Sequence, residues 1–185
     1  MSFEIRLARA GELDVAIAID DSAGFLYDEW GIRLELDADH PFCRAERARW
    51  VDAIREERLF FAIDPNFPAD LLGFAACDRV DGAPYLDQLA VRADAMRRGI
   101  GSFLVAHATT WAASHFATER YLWLTTYAHL PFNRAFYERA GFSVVPEASC
   151  GPGIRHHLEE QRSYLPMPAE RIAMRRAIES RRDPR

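Results

Sequence analysis

Apolar and polar positions change period several times along this chain, and each change marks an element. Phe3, Ile5 and Leu7 alternate with Glu4, Arg6 and Ala8 in "FEIRLARA", a period of two that predicts a strand. Gly11 breaks it, and the apolar-rich run Leu13 to Ile19 begins a helix. Residues 20–40 mix acids, aromatics and glycines without a clear period. "PFCRAERARWVDAIREERL" returns to helical spacing, with Ala48, Val51 and Ile54 along one side and an end near Arg58. "LFFAI" and "LLGFAAC" are apolar runs of strand length; the Pro and Asp cluster "DPNFPAD" between them predicts an antiparallel pair. "GAP" breaks the chain before "YLDQLAV", a further strand.

Past two glycines, Leu104, Ala108, Trp111 and His115 recur at helical spacing, widened by Phe103 and Ala112, which predicts a helix packed on a sheet. "RYLWLTT" reads as a strand buried on both faces. Pro131 is placed in the first turn of the short helix "PFNRAFYERAGF", which Gly141 ends as a left-handed cap. "FSVVPE" is a strand, "IRHHLEEQR" a short helix, "RIAMRRAI" a last strand, and "ESRRDPR" a frayed tail. The pattern implies one mixed α/β domain over residues 1–178 with a flexible tail at 179–185.

Size and charge narrow what such a domain does. At 185 residues it buries a core without staples, and its net charge of -5 argues against a general nucleic-acid binder. Cys43, Cys77 and Cys150 have neither metal-ligand nor CxxC spacing, so no metal site or disulfide framework is expected, and buried thiols in a reducing compartment are. "MSFEIRLARAGE" lacks a signal-peptide core, and "YLWLTTYAHL" is about half the length that a bilayer demands. These features predict a cytoplasmic protein without membrane partners.

Candidate chemistry begins where the strand ending at Val91 meets the helix after Gly99 and Gly101. Glycines let successive amide hydrogens share one concavity, and a helix start adds about half a positive charge, so the place suits phosphates. Arg92, Arg97 and Arg98 add a local basic patch. A plain turn beside solvated arginines is the alternative. The stretch fits neither the Walker loop nor the GxGxxG fingerprint. It resembles R/Q-x-x-G-x-G/A, the acetyl-coenzyme A pyrophosphate loop of the GNAT superfamily of N-acetyltransferases, here Met96-Arg97-Arg98-Gly99-Ile100-Gly101. A second family element stands in "FNRAFYERAGF", as Asn133, Ala135, Phe136, Tyr137, Gly141 and Phe142. The family's order of elements is similar to that read from about Phe3 to Ile178. The chain departs from the family pattern at Met96, where Gln or Arg is usual, and at Ala93, where Pro is frequent.

The resemblance implies a central mixed, mostly antiparallel sheet flanked by helices, and transfer of an acetyl group from acetyl-CoA to a primary amine of a small molecule or peptide by direct attack. On the resemblance, the main chain of Leu89, Ala90 and Val91 pairs with the pantetheine arm; Arg97, Arg98, Gly99, Ile100, Gly101 and Ser102 hold the phosphates; and Asn133 contacts the coenzyme. The Tyr137 hydroxyl then protonates the leaving thiolate, with a core tyrosine as the alternative. For the general base, Asp87 and Gln88 sit on a strand whose bulge in this family defeats simple alternation; Asp87 is chosen because a carboxylate accepts a proton and an amide does not. A strand-end charge paired with an arginine is its other role. His107 and His115 lie on the long helix, away from the thioester, and read as helix-surface or half-buried histidines; His156 and His157 either border the acceptor side or are solvated. On the resemblance the segment of Tyr27, Asp28, Glu29 and Trp30 helps wall the acceptor pocket, with a solvated acidic loop as the alternative. Segments 20–40 and 143–170 choose the acceptor. Two further functions remain: a coenzyme A-binding sensor or non-catalytic module on the same fold, and an interaction protein that pairs into a homodimer through an exposed edge strand.

Overall fold

The computed structural model describes residues 3–33 and 36–178; the expected tail at 179–185 lies outside the described residues. Among the described residues seven strands hydrogen-bond in the order β1-β2-β3-β4-β5-β7-β6, mostly antiparallel, and helices flank the sheet. The chain gathers into two compact units, one built from residues up to Asp78 with Asp87–His107, the other from Arg79–Leu86 with Ala108 onward.

In the first unit, β1 (Glu4–Leu7) pairs antiparallel with β2 (Leu59–Asp64), and β2 with β3 (Phe67–Val80). The inward set expected of β1 is only partly seen. Leu7 is 40 % exposed, while Arg6 lays its guanidinium 5.4 Å from the Phe61 ring centre and binds both Glu12 oxygens at 2.8 Å. The stem and planar head of an arginine cover apolar surface that a shorter side chain leaves open. Helix α1 (Leu13–Ala23) buries Ala16 and Ile19. A single turn, α2 (Phe25–Asp28), falls inside the segment that showed no period.

Helix α3 (Pro41–Arg55) opens with His40, whose Nδ1 accepts from the Phe42 amide at 3.2 Å, and Pro41 takes the first position, where no amide hydrogen is needed. Its core face is Phe42, Trp50 and Ala53. This corrects the stripe read from sequence: Ala48 is exposed, Val51 is 46 % exposed, and Ile54 packs only at the edge of the core. Trp50 meets Phe74 edge-on at 5.1 Å, joining α3 to β3 in a cluster with Leu59, Phe61 and Ala90. Two aromatics outweigh small aliphatics as anchors because each buries far more apolar area.

Strand β3 is longer than the apolar run that predicted it, and it bulges. Ala62 faces Gly73 and the next residue of β2, Ile63, faces Leu71, so Leu72 is the extra residue. Strand β4 (Ala83–Val91) ends its pairing where the Arg92 amide donates to the Leu72 carbonyl at 2.9 Å.

In the second unit, Asp81 and Gly82 turn β3 into β4 with φ of 54° and 81°. Two consecutive positive φ values fit the hairpin turns that follow the natural strand twist. The Asp81 carboxylate also accepts the amides of Gly153 at 2.8 Å and Ile154 at 3.2 Å, capping α6 (Pro152–Tyr164) from 72 residues away. A Cβ on Gly153 would meet that carboxylate at 2.8 Å, which explains a glycine there. Asp81→Ala is expected to lower stability by about 1–2 kcal/mol, read as a fall in thermal midpoint, because it strands two helix-start amides.

β4 runs parallel to β5 (Tyr121–Tyr127) with Tyr85 opposite Trp123, and β5 pairs antiparallel with β7 (Arg171–Ala177), which carries β6 (Ser143–Val145). One face of β5 is apolar and buried through Leu122 and Leu124; the other is half-buried and covered by Arg175, whose guanidinium stacks 4.1 Å from Tyr121 and 5.4 Å from Trp123. Helix α6 packs on both β5 and β7, with Ile154 and Leu158 buried against Tyr85 and Val145.

Helix α4 (Ile100–His115) buries Ile100, Leu104, Val105, Ala108, Trp111 and Ala112. Phe103 and His115, placed in its stripe from sequence, are exposed. The short α5 (Arg134–Arg139) begins three residues later than Pro131, which stands in the preceding turn closed by the Asn133 amide on the Leu130 carbonyl. Its end is as expected: Gly141 has φ of 88°, with amide bonds from Phe142 to Tyr137 and from Gly141 to Glu138.

Candidate functional site

The loop between β4 and α4 belongs to the first unit. After Val91 comes a single 3-10 turn, Ala93–Ala95, then Arg97 and Gly99 with φ of 60° and 88°, then the first turn of α4. The Gly99 carbonyl takes the first helical bond, from Phe103 at 3.0 Å. The amides of Ile100, Gly101 and Ser102 therefore stand in the first turn, where no intrahelical acceptor exists. A left-handed residue beside a right-handed run is the backbone pattern that gathers N–H groups around an anion, and the helix dipole adds to it. Ala95 and Ile100, 0 % and 1 % exposed, pin the two ends of the loop to the core. A Cβ placed on Gly99 would face open space. These features fit a diphosphate.

The three arginines of the basic patch differ in what they offer. Arg92 is held by Asp70 and by Asp94, and those bonds raise its pKa; its charge is spent within the loop base. Arg98 is half-buried, with its guanidinium 5.7 Å from the Phe3 ring centre. Arg97 and Ser102 are exposed. Leu89 and Val91 are half-buried at the end of β4, and Ala90 between them is 4 % exposed in the core.

Asp87 and Gln88 are neighbours on β4, yet both reach helices of the same unit. Arg49 of α3 donates its Nε to both Asp87 oxygens, at 3.1 and 3.3 Å, and the Asp87 side chain is 7 % exposed. The Gln88 amide donates to Asp20 of α1 at 2.6 Å. The pairing with an arginine that the sequence left open for Asp87 is therefore present. Burial pushes the Asp20 carboxyl up to about 6 against the lowering effect of Gln88. Glu46 of α3 stands within the same field, and burial, with Asp20 and Asp87 adding repulsion, lifts its carboxyl to about 8. Glu46 and Asp20 are not among the residues expected from sequence. Their signal was an acid four residues from a buried anchor on each helix, Phe42 to Glu46 and Ala16 to Asp20.

Asn133 and Tyr137 belong to the second unit. Asn133 is 9 % exposed and precedes α5, its carbonyl accepting from the Tyr137 amide at 2.9 Å. The half-buried Tyr137 ring lies edge-on between Phe136 at 5.1 Å and Phe142 at 5.6 Å. His157 stacks on Tyr85 at 5.1 Å, while His156 and His115 are exposed. His107 packs edge-on to Phe60 at 4.5 Å, and burial lowers its pKa. Trp30 is 49 % exposed. Among the described residues no helix is long and apolar enough to cross a membrane.

The fold is shared with solved acetyltransferases. An acetyltransferase of the GNAT family from Staphylococcus aureus Mu50 superposes with a TM-score of 0.68 at 13 % identity, covering 96 % of this chain and 100 % of that one. PaiA N-acetyltransferase from Thermoplasma acidophilum, in complex with coenzyme A, gives 0.65 at 14 % identity over 96 % and 99 % of the two chains. N-acetylglutamate synthase from Neisseria gonorrhoeae, complexed with coenzyme A and N-acetyl-glutamate, gives 0.64 at 19 % identity; 97 % of this chain matches, spanning 36 % of that one. The model of the acetyltransferase (GNAT) family matches residues 25–142, a stretch that runs from α2 through the loop at Gly99 to the cap of α5. A match over more than half of the sequence fixes membership, and the chain belongs to the GNAT family of acetyltransferases, whose enzymes use acetyl-CoA.

Proposed function

We propose that this protein transfers an acetyl group from acetyl-CoA to a primary amine of a small molecule or peptide, by direct attack of the amine. The observation that carries the proposal is the left-handed Arg97 and Gly99 pair at the start of a 16-residue helix, which offers first-turn amides to a diphosphate. When bound, acetyl-CoA supplies an activated thioester; the chain supplies orientation and proton handling. The residues from Arg97 to Ser102 would hold the phosphates, the main chain of Leu89, Ala90 and Val91 would align the pantetheine arm, and Asn133 would contact the coenzyme. Asp87, fixed by Arg49, would draw the acceptor's ammonium toward β4 and hand its proton on, directly or through water. Tyr137 would give a proton to the departing thiolate; its ring is held by two phenylalanines, which limits the positions its hydroxyl can take. Paired acids on β4 and its neighbouring helices suit a cationic acceptor. The activity is proposed for the cytoplasm.

The test is release of free thiol from acetyl-CoA across a panel of primary amines, alongside calorimetric binding of acetyl-CoA. Saturable release with one class of amine is expected. Binding with no release on any amine would make this a coenzyme A-binding sensor; absence of binding would favour an interaction protein. Tyr137→Phe is expected to lower kcat by about 10²-fold or more while the dissociation constant of acetyl-CoA holds, since only the proton is removed. Unchanged kcat would take Tyr137 out of the acid role.

A further inference from the structure

Helix α3 turns Phe42 and Trp50, 7 % and 2 % exposed, toward the core, and Glu46 stands midway between them on the same stripe. Four-residue steps put all three on one helical face. Glu46 itself is half-buried, where a leucine or alanine would extend the apolar stripe. Its neighbours are partnered: Asp87 with Arg49, Asp20 with Gln88. Glu46 makes no hydrogen bond among the described residues, although it shares the field of those groups. Glu46 stands one turn before Arg49 on α3, so with the Asp87–Arg49 and Asp20–Gln88 pairs it forms one cluster of three acids drawn from α1, α3 and β4, an arrangement placed for proton chemistry.

We infer that Glu46 is the group that finally receives the ammonium proton of the acceptor amine. The inference rests on the acetyl-transfer reading. The ammonium loses one proton to the Glu46 carboxylate, directly or by way of Asp87, leaving a neutral amine and a neutral carboxylic acid. The nitrogen lone pair then forms the C–N bond as the C–S bond breaks. The second nitrogen proton offsets the one that sulfur takes up, and Glu46 returns its own proton to solvent. One acetyl group moves and one proton is released per turnover.

Asp87 is a weaker terminus for this proton because its ion pair with Arg49 favours the charged carboxylate. Glu46 is biased the other way. Burial, then repulsion from Asp20 on α1 and Asp87 on β4, lifts it to about 8, against the lowering pull of Arg49 and Arg47 on its own helix; Cys43, also on α3, feels Glu46 in turn. A base whose pKa lies near working pH accepts and releases protons with least waste. Below that value Glu46 holds its proton and cannot act, so turnover should rise as pH passes through it.

The test is the pH profile of kcat/KM for the amine identified in the thiol-release panel, in wild type and Glu46→Gln, with acetyl-CoA affinity and circular dichroism measured on both. Wild type should show an acidic limb near 8. Glu46→Gln should lose about 10²-fold or more on the plateau, together with that limb, at unchanged acetyl-CoA affinity. Infrared difference titration gives a readout independent of turnover: a protonated carboxyl band that is lost with a midpoint of about 8, separate from the Asp20 band lost at about 6, and missing from Glu46→Gln while the Asp20 band stays. Glu46→Leu, which extends the stripe, guards against a folding failure of the amide variant and should show the same kinetic loss. A folded Glu46→Gln that keeps the limb and loses less than about threefold would overturn the inference while leaving acetyl transfer standing. A wild type that releases no thiol on any amine would overturn acetyl transfer, and the inference with it.

Discussion

Gly73→Val is expected to leave little folded protein, and Gly73→Ala to fold with a thermal midpoint lower by about 6–12 °C. A Cβ on Gly73 would stand 2.7 Å from the Ala90 carbonyl oxygen, 3.2 Å from the Val91 Cα and 3.3 Å from a Leu104 methyl. The first two are backbone of β4, which cannot swing aside as the end of a side chain can. Relief would require β3 and β4 to separate. That movement opposes the bond from the Arg92 amide to the Leu72 carbonyl, beside the Leu72 bulge. Overpacking a core costs about 1–3 kcal/mol even where neighbours yield, and an immobile strand puts Gly73→Ala near the top of that range. In a domain of this size each kcal/mol moves the midpoint by about 2–4 °C. Valine adds two methyl groups to the same conflict, against a total stability of only about 5–15 kcal/mol. Tryptophan fluorescence follows the unfolding, since Trp50 packs on Phe74 one residue along β3. A Gly73→Ala midpoint equal to that of wild type would mean that the two strands part without cost.

Gly73 also illustrates what the sequence concealed. Within "LLGFAAC" it reads as a weak spot in an apolar run; its reason is the approach of β4, a strand that arrives seventeen residues later in the order Gly73 to Ala90. Elements with local causes were legible. The loop at Gly99, the cap at Gly141 and most strand positions follow from period and from glycine, which act over a few residues. Non-local compensation was not. Val51 looked like core because it recurs with Ile54, yet the buried aromatics of α3 are Phe42 and Trp50, and Trp50 anchors the helix because it packs on Phe74 of β3. The Asp81-Gly82 turn was half hidden because Gly82 carries the plainer turn signal, and the second task of Asp81, capping α6, depends on a partner 72 residues away.

The candidate site divides along the same line. Asp87 was chosen over Gln88 on chemistry, and the structure places both against helices, one bound to Arg49 and the other to Asp20. Neither partner can be found from the strand's own alternation. Glu46 was the harder case. Counted as one acid among the 28 of the chain it looks like surface charge, and only the identity of its i−4 and i+4 neighbours, once known to be buried, marks it as unusual. Its position also sets a sign for stability. A carboxyl raised to about 8 from an ordinary value of 4.5 stabilises the fold most below the ordinary value, and that contribution fades as pH climbs toward the folded value.

Gly99→Val is expected to weaken acetyl-CoA binding by about 10²-fold or more while leaving the apo fold close to wild type. The two halves of this expectation have separate causes. Nothing lies within 4 Å of a Cβ at residue 99, so valine meets no neighbour and the core is not overpacked. The backbone is the obstacle: φ is 88°, a conformation that a β-branched residue resists. Arg97, at φ of 60°, shows that the loop tolerates one non-glycine in the left-handed region, but an unbranched one. Valine would relax toward negative φ and rotate the peptide entering α4, turning first-turn amides away from the diphosphate. Each charge-assisted bond lost costs about 1.5–3 kcal/mol, and two such losses exceed 10²-fold in the dissociation constant. Calorimetry reads the affinity, and thermal unfolding supplies the control. Acetyl-CoA should raise the midpoint of wild type by mass action and leave that of Gly99→Val unmoved. Equal affinity in the two proteins would mean that the diphosphate is held elsewhere than at the start of α4.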